Sequence, residues 1–457
     1  MRRSWRLTAA RGLALVLGAT VMVAACSSSA KTSSVGGSGT SGSSGGGAGL
    51  ATGVTATTVK VGVALVDFSC IQQFVDQIRV NQDKVYQAYF DDVNAHGGIA
   101  GRQIVPDYRS YCPLTSAAAL TLCTQFTEDD HVFAVMANFE DFSGDAQTCV
   151  ARDHKTPLLT FDLTQAIMSQ SPPGMIIFPG TNAERVDSIL ISLLQKQHTL
   201  AGKKIAILGQ TTSQGAVTST IEPALKRIGA NQGSTAILSI TGTDTSAAQA
   251  QLDSFIERWK SEKVNALYVA GLEVAAQQFI EKLRQQLPNV LLVVDINTVL
   301  TYAQEEQTTG HKPNPYEGMI TAAGPTTVEY NRSANWKYCA DIYQKETGKP
   351  APDGEQVIPG PNGKTLDTYG SINDACQLVS VFHDIAARVG KNLTIPNWIH
   401  TVDTYGPIAN RGGGQYASLR TGHYDIDDSF RLESYDSTIG AKGDWKSLTP
   451  LENVSGS

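Results

Sequence analysis

The sequence predicts an α/β protein made of two doubly wound parallel-sheet lobes joined by a multi-strand hinge. Three observations predict it. From Val59 onward, short β-branched runs alternate with amphipathic stretches; the alternation comes in two separate series; and helical and then strand-like segments follow both series, so the chain must pass between lobes several times. With 457 residues, 41% of them hydrophobic and 17% charged, there is enough apolar material for two ordinary domains.

The first series opens with Val59 to Val66, a strand buried on at least one face. Val75, Ile78, Val85, Tyr89 and Val93 then mark a helix stripe that stops at Gly97-Gly98. The cycle repeats as strand Gln103 to Tyr108 and helix Ser116 to Phe126, then strand Val132 to Ala137 and helix Gly144 to His154, ending in strand Pro157 to Thr160. In the second series Lys204 to Leu208 leads into Thr218 to Ile228, Ala236 to Ile240 into Ala247 to Trp259, and Val264 to Val269 into Val274 to Leu287, and Val290 to Val294 closes it. After Gly318 to Thr321 the pattern is helical, with Asn335 to Thr347 and Ile372 to Val389 separated by a Pro- and Gly-rich loop, Gly348 to Gly370. The tail from Val402 returns to strand-like pieces such as Phe430 to Tyr435.

Residues 1–25 read as an export signal. Arg2, Arg3, Arg6 and Arg11 precede the apolar run Leu13 to Ala25, which is shorter than the ~18–20 residues of a spanning helix. Val23-Ala24-Ala25-Cys26 resembles a bacterial lipobox, which makes Cys26 the expected site of lipidation and lipid the expected membrane anchor. Residues 26–53 form a tether, with nine Ser and eight Gly between Ser27 and Gly49. Gly37 to Gly42 matches G-x-G-x-x-G in letters but lacks the strand before and helix after it that a dinucleotide site needs. Net charge is -7, and the four arginines of the signal leave the remainder at -11, which argues against nucleic acid as a partner.

Beyond Cys26 there are six cysteines, an even number that suits three disulfides in an oxidising compartment and leaves fifteen pairings open. No C-x-x-C pair, H-E-x-x-H helix or strand-borne G-x-S-x-G elbow occurs, so neither a metal, a cofactor nor catalysis is expected. In open α/β sheets ligands sit beyond the carboxyl ends of the strands. The loops there carry Asp67, Phe68, Asn138, Phe139, Glu140, Asp141, Ser143, Asp162 and Thr164 in the first series, and Gln210, Glu273 and Asp295 in the second. Phe68, Phe139, Phe142 and Phe161 either wall a cleft or plug the core beneath these loops. Arg185 either clamps a ligand carboxylate or is a solvated helix residue.

The strand Lys60-Val61-Gly62-Val63, the run Asn94-Ala95-His96-Gly97-Gly98-Ile99-Ala100-Gly101-Arg102 and the strand Val132 to Met136 together resemble the type I periplasmic solute-binding proteins of the branched-chain amino acid group. The resemblance extends over about Val54 to Asn410. It implies two lobes, 54–180 plus 323–400 and 181–322 plus 401–457, which close on a small solute and deliver it to an ABC permease, with the protein a monomer. A ligand-sensing lipoprotein that signals to a membrane partner is the alternative. It also implies the pairs Cys70–Cys112, Cys123–Cys149 and Cys339–Cys376. Family members hold an amino-acid carboxylate with Ser and Thr hydroxyls, for which Ser143 and Thr164 match, and the ammonium with an acid, here Glu273 or Asp295. Glu140 and Asp141 stand where the family has small neutral residues. Carboxylates there would repel an anionic ligand and favour a solute with an apolar or aromatic body and an amine, amide or hydroxyl.

Overall fold

The computed structural model describes residues 50–456 except 74, 76, 138, 140–143, 162, 241–244, 297–298, 310–312 and 355; the signal, Cys26 and most of the tether lie outside the described residues. Strand β1 (Thr58–Val66) runs parallel to β2 (Gln103–Tyr111) on one side and β3 (Ala134–Ala137) on the other. β4 (Leu158–Thr160) and β5 (Ile176–Ile177) complete a five-stranded parallel sheet in the order β2-β1-β3-β4-β5. The central strands are almost wholly apolar and lie under helices on both faces, the pattern that βα crossovers impose on a parallel sheet. The Gly97-Gly98 turn has a physical cause. Gly98 has φ +59, and a Cβ there would lie 2.0 Å from the Arg102 carbonyl oxygen, while Asn94 ties the helix end to Ile104 through both its amide groups.

The second sheet has eight strands. Its parallel part comprises β6 (Lys204–Gln210), β7 (Asn231–Leu238), β8 (Ala266–Ala270), β9 (Leu291–Val294) and β10 (Ile320–Ala323). The tail adds β11 (Ser429–Asp436) antiparallel to β10, then β12 (Asp444–Ser447) and the short Glu452–Asn453. Two buried clusters cover its two faces. Helix α1 (Ala183–Lys196) packs one of them with Ile189, Leu190, Ile191 and Leu194, all at most 1% exposed.

Three segments cross between the sheets. Phe178 to Gly180 runs beside Tyr424 to Asp427, with Phe178 N–H donating to the Tyr424 carbonyl, Ile426 N–H to Phe178 and Asp427 N–H to Gly180. The third crossing follows β10, where Thr326 and Glu329 cap a short helix and Arg431 of β11 grips Glu329 with both guanidinium nitrogens at 2.8 and 2.6 Å. That pairing draws the Glu329 carboxyl down to about 2.

Helices α2 (Ala334–Thr347), α3 (Thr368–Val389) and α4 (Ile395–Asp403) return to the first sheet, where Trp398 meets Phe133 and Phe382. The structure pairs Cys70 with Cys112, Cys123 with Cys149 and Cys339 with Cys376.

Three expectations need correction. Val75 and Ile78 are not helical: the helix runs Gln82–Ala95, because Asn81 before it has φ +53, and Ile78 belongs to a two-residue strand that pairs with Thr365–Leu366 of the Pro-rich loop. Strand β7 begins at Asn231 rather than Ala236, since its first half is a polar edge. The second lobe is expected to take in 401–457, yet Val402, Ile408, Ala417, Leu419 and Ile426 pack in the core of the first sheet. Gln377 and Asn410 hold that stretch there, joined to each other and both donating to the Pro179 carbonyl.

Candidate functional site

A cavity of about 1110 Å³ opens between the carboxyl edges of the two sheets. The first sheet contributes Phe161, Leu163 and Thr164; the crossing segments contribute Phe178, Thr181 and Asp427; the second sheet and its helix contribute Glu184, Asp187, Gln210, Ser213, Gly271, Asp295, Ala322 and Phe430. Strand ends and helix starts converge there because both sheets point their carboxyl edges at one another.

Asp187 sits on the apolar stripe of α1, three, four and seven residues before Leu190, Ile191 and Leu194, so the helix packing that buries them buries it too, to 1% exposure. The Tyr268 hydroxyl donates to its Oδ1 at 2.6 Å. Asp295, at the end of β9, accepts the Gly271 N–H at 3.1 and 3.0 Å on its two oxygens. Gln210 is fixed from three sides: its Nε2 donates to Glu273 and to Thr212 Oγ1, and its Oε1 accepts the Val274 N–H. Asp427 accepts the Ser429 N–H at 3.1 Å.

Desolvation pushes the carboxyls of Asp295 and Asp427 up to about 7. Burial, and then the neighbouring Asp295 charge, lifts Asp187 well above the ordinary carboxylate range. A carboxyl raised on folding holds its proton in the native state where the unfolded chain has lost it, so stability present at low pH is lost as pH climbs through the native value. Unfolding free energy is therefore expected to fall between about pH 4.5 and 7, by up to ~1.4 kcal/mol per pH unit for each such group. Denaturant midpoints at pH 5 and 7.5 check this. A higher midpoint at pH 7.5 would contradict it, and Asp295→Asn should flatten the slope.

A family model described as periplasmic binding protein matches residues 59–358. The chain belongs to that family. Solved structures agree in fold. A substrate-binding protein of an ABC transporter from Desulfitobacterium hafniense in complex with Leu is 11% identical at TM-score 0.55, covering 85% of this chain and 100% of that chain. A solute-binding protein of an ABC transporter from Rhodopseudomonas palustris BisB5 in complex with 3,4-dihydroxybenzoic acid is 14% identical at TM-score 0.53, with coverages of 88% and 99%. A fatty acid ABC transporter substrate-binding protein from Thermomonospora curvata is 18% identical at TM-score 0.53, with coverages of 89% and 95%. No curated protein matches significantly.

In this periplasmic binding protein, Thr164 beyond the first sheet and Gln210 and Asp295 beyond the second line the same cavity. Thr164 also caps the helix Gln165–Ser169, its hydroxyl accepting the Ile167 N–H. Glu273 stands behind Gln210 and orients its amide instead of lining the cavity. Phe139 is fully buried against Tyr111, the core alternative of the two rather than the cleft wall: an apolar ring with no exposed surface is core. Asp67 and Phe68 are also displaced, lining separate depressions near Arg79, because Asp67 caps the short helix Phe68–Ile71 through the Ser69 N–H. Asn138, Glu140, Asp141, Ser143 and Asp162, with Phe142, lie outside the described residues.

Arg185 is neither solvated nor aimed at a ligand. Its side chain, 9% exposed, pairs with Asp425 and Asp428 and donates to the carbonyls of Asp425 and Asp427. Asp187, Phe178, Asp427 and Phe430 were not anticipated. An acid at a core-facing position of an amphipathic helix is the sequence signal that would have found Asp187. Among the described residues, the group with ligand-like metal spacing is Cys123, Cys149 and His154, and both sulfurs are taken up in a disulfide.

Proposed function

We propose that this protein is the extracytoplasmic, lipid-anchored solute-binding component of an ABC importer, and that a small amino-acid-like, aromatic or amide solute is captured by closure of the two lobes over the cavity. The observation that carries this reading is a single cavity walled from both sheets and from the crossing segments, so that a bound solute bridges parts that hinge on one another. The proposed partners are the solute and a membrane permease; the relatives above that act in ABC transporters support the second. The lobes are proposed as residues 54–180 with 323–426, and 181–322 with 427–457.

A thermal-shift screen against amino acids, amides, amines and aromatic acids tests the reading. A true solute at 100 times its dissociation constant should add ~2.7 kcal/mol to stability, and no shift from any class would count against solute capture. The anchor is proposed at Cys26, which ends the lipobox-like run Val23-Ala24-Ala25-Cys26. Cys26→Ser should move the protein from the membrane fraction to the soluble one; unchanged membrane association would reject lipidation at this residue.

A further inference from the structure

We propose that the first lobe carries a second binding site, for a sugar or other neutral polyol, in the pocket between the end of β1 and the start of α3, where Tyr86 and Arg79 donate hydrogen bonds and Gln82 and Asp374 accept them. This pocket shares no lining residue with the cavity between the sheets, so the site stands apart from the capture reading above.

The pocket encloses about 460 Å³. Leu65, Val66 and Phe68 form its apolar part, and Arg79 enters it from just beyond the strand Gln77–Ile78. The guanidinium forks between two carboxylates, Nε donating to Asp367 Oδ2 at 2.9 Å and Nη1 to Asp374 Oδ2. Asp367 is itself fixed as the cap of α3, accepting the Gly370 N–H at 2.8 Å. Gly370 leaves the room this needs, since a Cβ there would lie 2.6 Å from Arg79 Nη2. The polar wall is therefore held in place before any ligand arrives.

Tyr86 supplies the second, independent observation. It is 7% exposed and lines the pocket, yet its hydroxyl has no hydrogen-bond partner among the described residues. Leaving a buried hydroxyl unpaired is costly, and burial followed by the Asp374 charge pushes this phenol up, so it keeps its proton as a donor. Arg79 Nη2 is likewise unspent. On the accepting side, Gln82 gives its Nε2 to the Val66 carbonyl at 2.8 Å and keeps Oε1 free, and Asp374 keeps its second oxygen. Charge then selects the class. Arg79 is already balanced by two carboxylates, so an anion gains no net positive partner, and an ammonium would share those carboxylates with the guanidinium. For a neutral ligand, donors and acceptors are interleaved: Asp374 is bonded to Arg79, and Gln82 stands one helical turn from Tyr86. An amide places its donor and acceptor on separate atoms, whereas a hydroxyl donates and accepts at one atom, and vicinal hydroxyls match the interleaving. The apolar part of the wall suits the C–H face of a sugar ring.

The test is calorimetric titration of the purified protein with glucose, galactose, mannose, ribose and myo-inositol, beside acetamide, acetate and ethylamine. The expected result is saturable one-to-one binding of at least one polyol, tighter than any of the last three. Tyr86→Phe and Gln82→Met, which remove a hydrogen-bonding group and keep the bulk, should each weaken that polyol at least tenfold, with thermal unfolding of each variant recorded to show that it is folded. Neither variant should alter the thermal shift given by the solute of the cavity between the sheets. If no polyol binds, if acetamide, acetate or ethylamine binds as tightly as the best polyol, or if both folded variants keep the wild-type affinity, the proposal is overturned. Loss of the interlobe solute's thermal shift in both folded variants would overturn a separate site while leaving solute capture standing.

Discussion

Arg185→Ala is expected to lower the unfolding free energy by about 3–5 kcal/mol, the range seen when one partner of a buried ion pair is removed and the other is left uncompensated. The carboxyls that would be stranded are Asp425 and Asp428, whose side chains are 5% and 1% exposed. Asn182 and His423 remain near them, but Asn182 offers Asp425 neutral donors only, and His423 approaches Asp428 at 3.2 Å from a site that is itself buried. Arg185→Lys should recover part of the loss, because a point charge cannot reproduce a fork that reaches two carboxylates and two carbonyls. The network lies where α1 starts and the Tyr424 to Asp428 crossing passes, so the same change should loosen the hinge. Denaturant unfolding measures the effect, and a loss below about 1 kcal/mol would show that the network is not needed for stability.

Replacing Cys339 and Cys376 together with alanine is expected to cost about 4 kcal/mol. The bond closes a stretch with sequence separation 37, for which the chain-entropy account gives ~3.8 kcal/mol. It joins α2 to α3 inside the first lobe's core, where both residues are at most 1% exposed. Cys70 and Cys112 lie partly open to solvent, so a reductant should break that bond first and the Cys339–Cys376 bond late. A paired variant whose denaturant midpoint falls by less than the equivalent of 1 kcal/mol would contradict the expected contribution.

The two sheets were legible because their central strands, such as Val61 to Val66 and Ala266–Ala270, are continuous apolar runs between amphipathic helices, and a parallel sheet buried on both faces demands that pattern. Polar edges were not: Asn231 to Ser234 carries no apolar periodicity, and only pairing with β6 makes it a strand. A helix start set by one left-handed residue, Asn81, is likewise invisible to a hydrophobic stripe. The place of the stretch 402–426 is not legible in sequence, because its strands are two residues long and it depends on Gln377 and Asn410, far apart in the chain. For the cavity, the rule that ligands lie beyond strand carboxyl ends points to Thr164, Gln210 and Asp295, which line it. It could not separate a wall residue from the core plug Phe139, which differ by depth alone. Nor does it reach Asp187, which comes from a helix one turn in from its start.

Small-angle X-ray scattering of the protein with and without the solute that gives the largest thermal shift tests the central claim most directly. Closure of two lobes over a shared cavity predicts one-to-one binding and a smaller radius of gyration in the complex. Saturating binding with superimposable scattering profiles would contradict it.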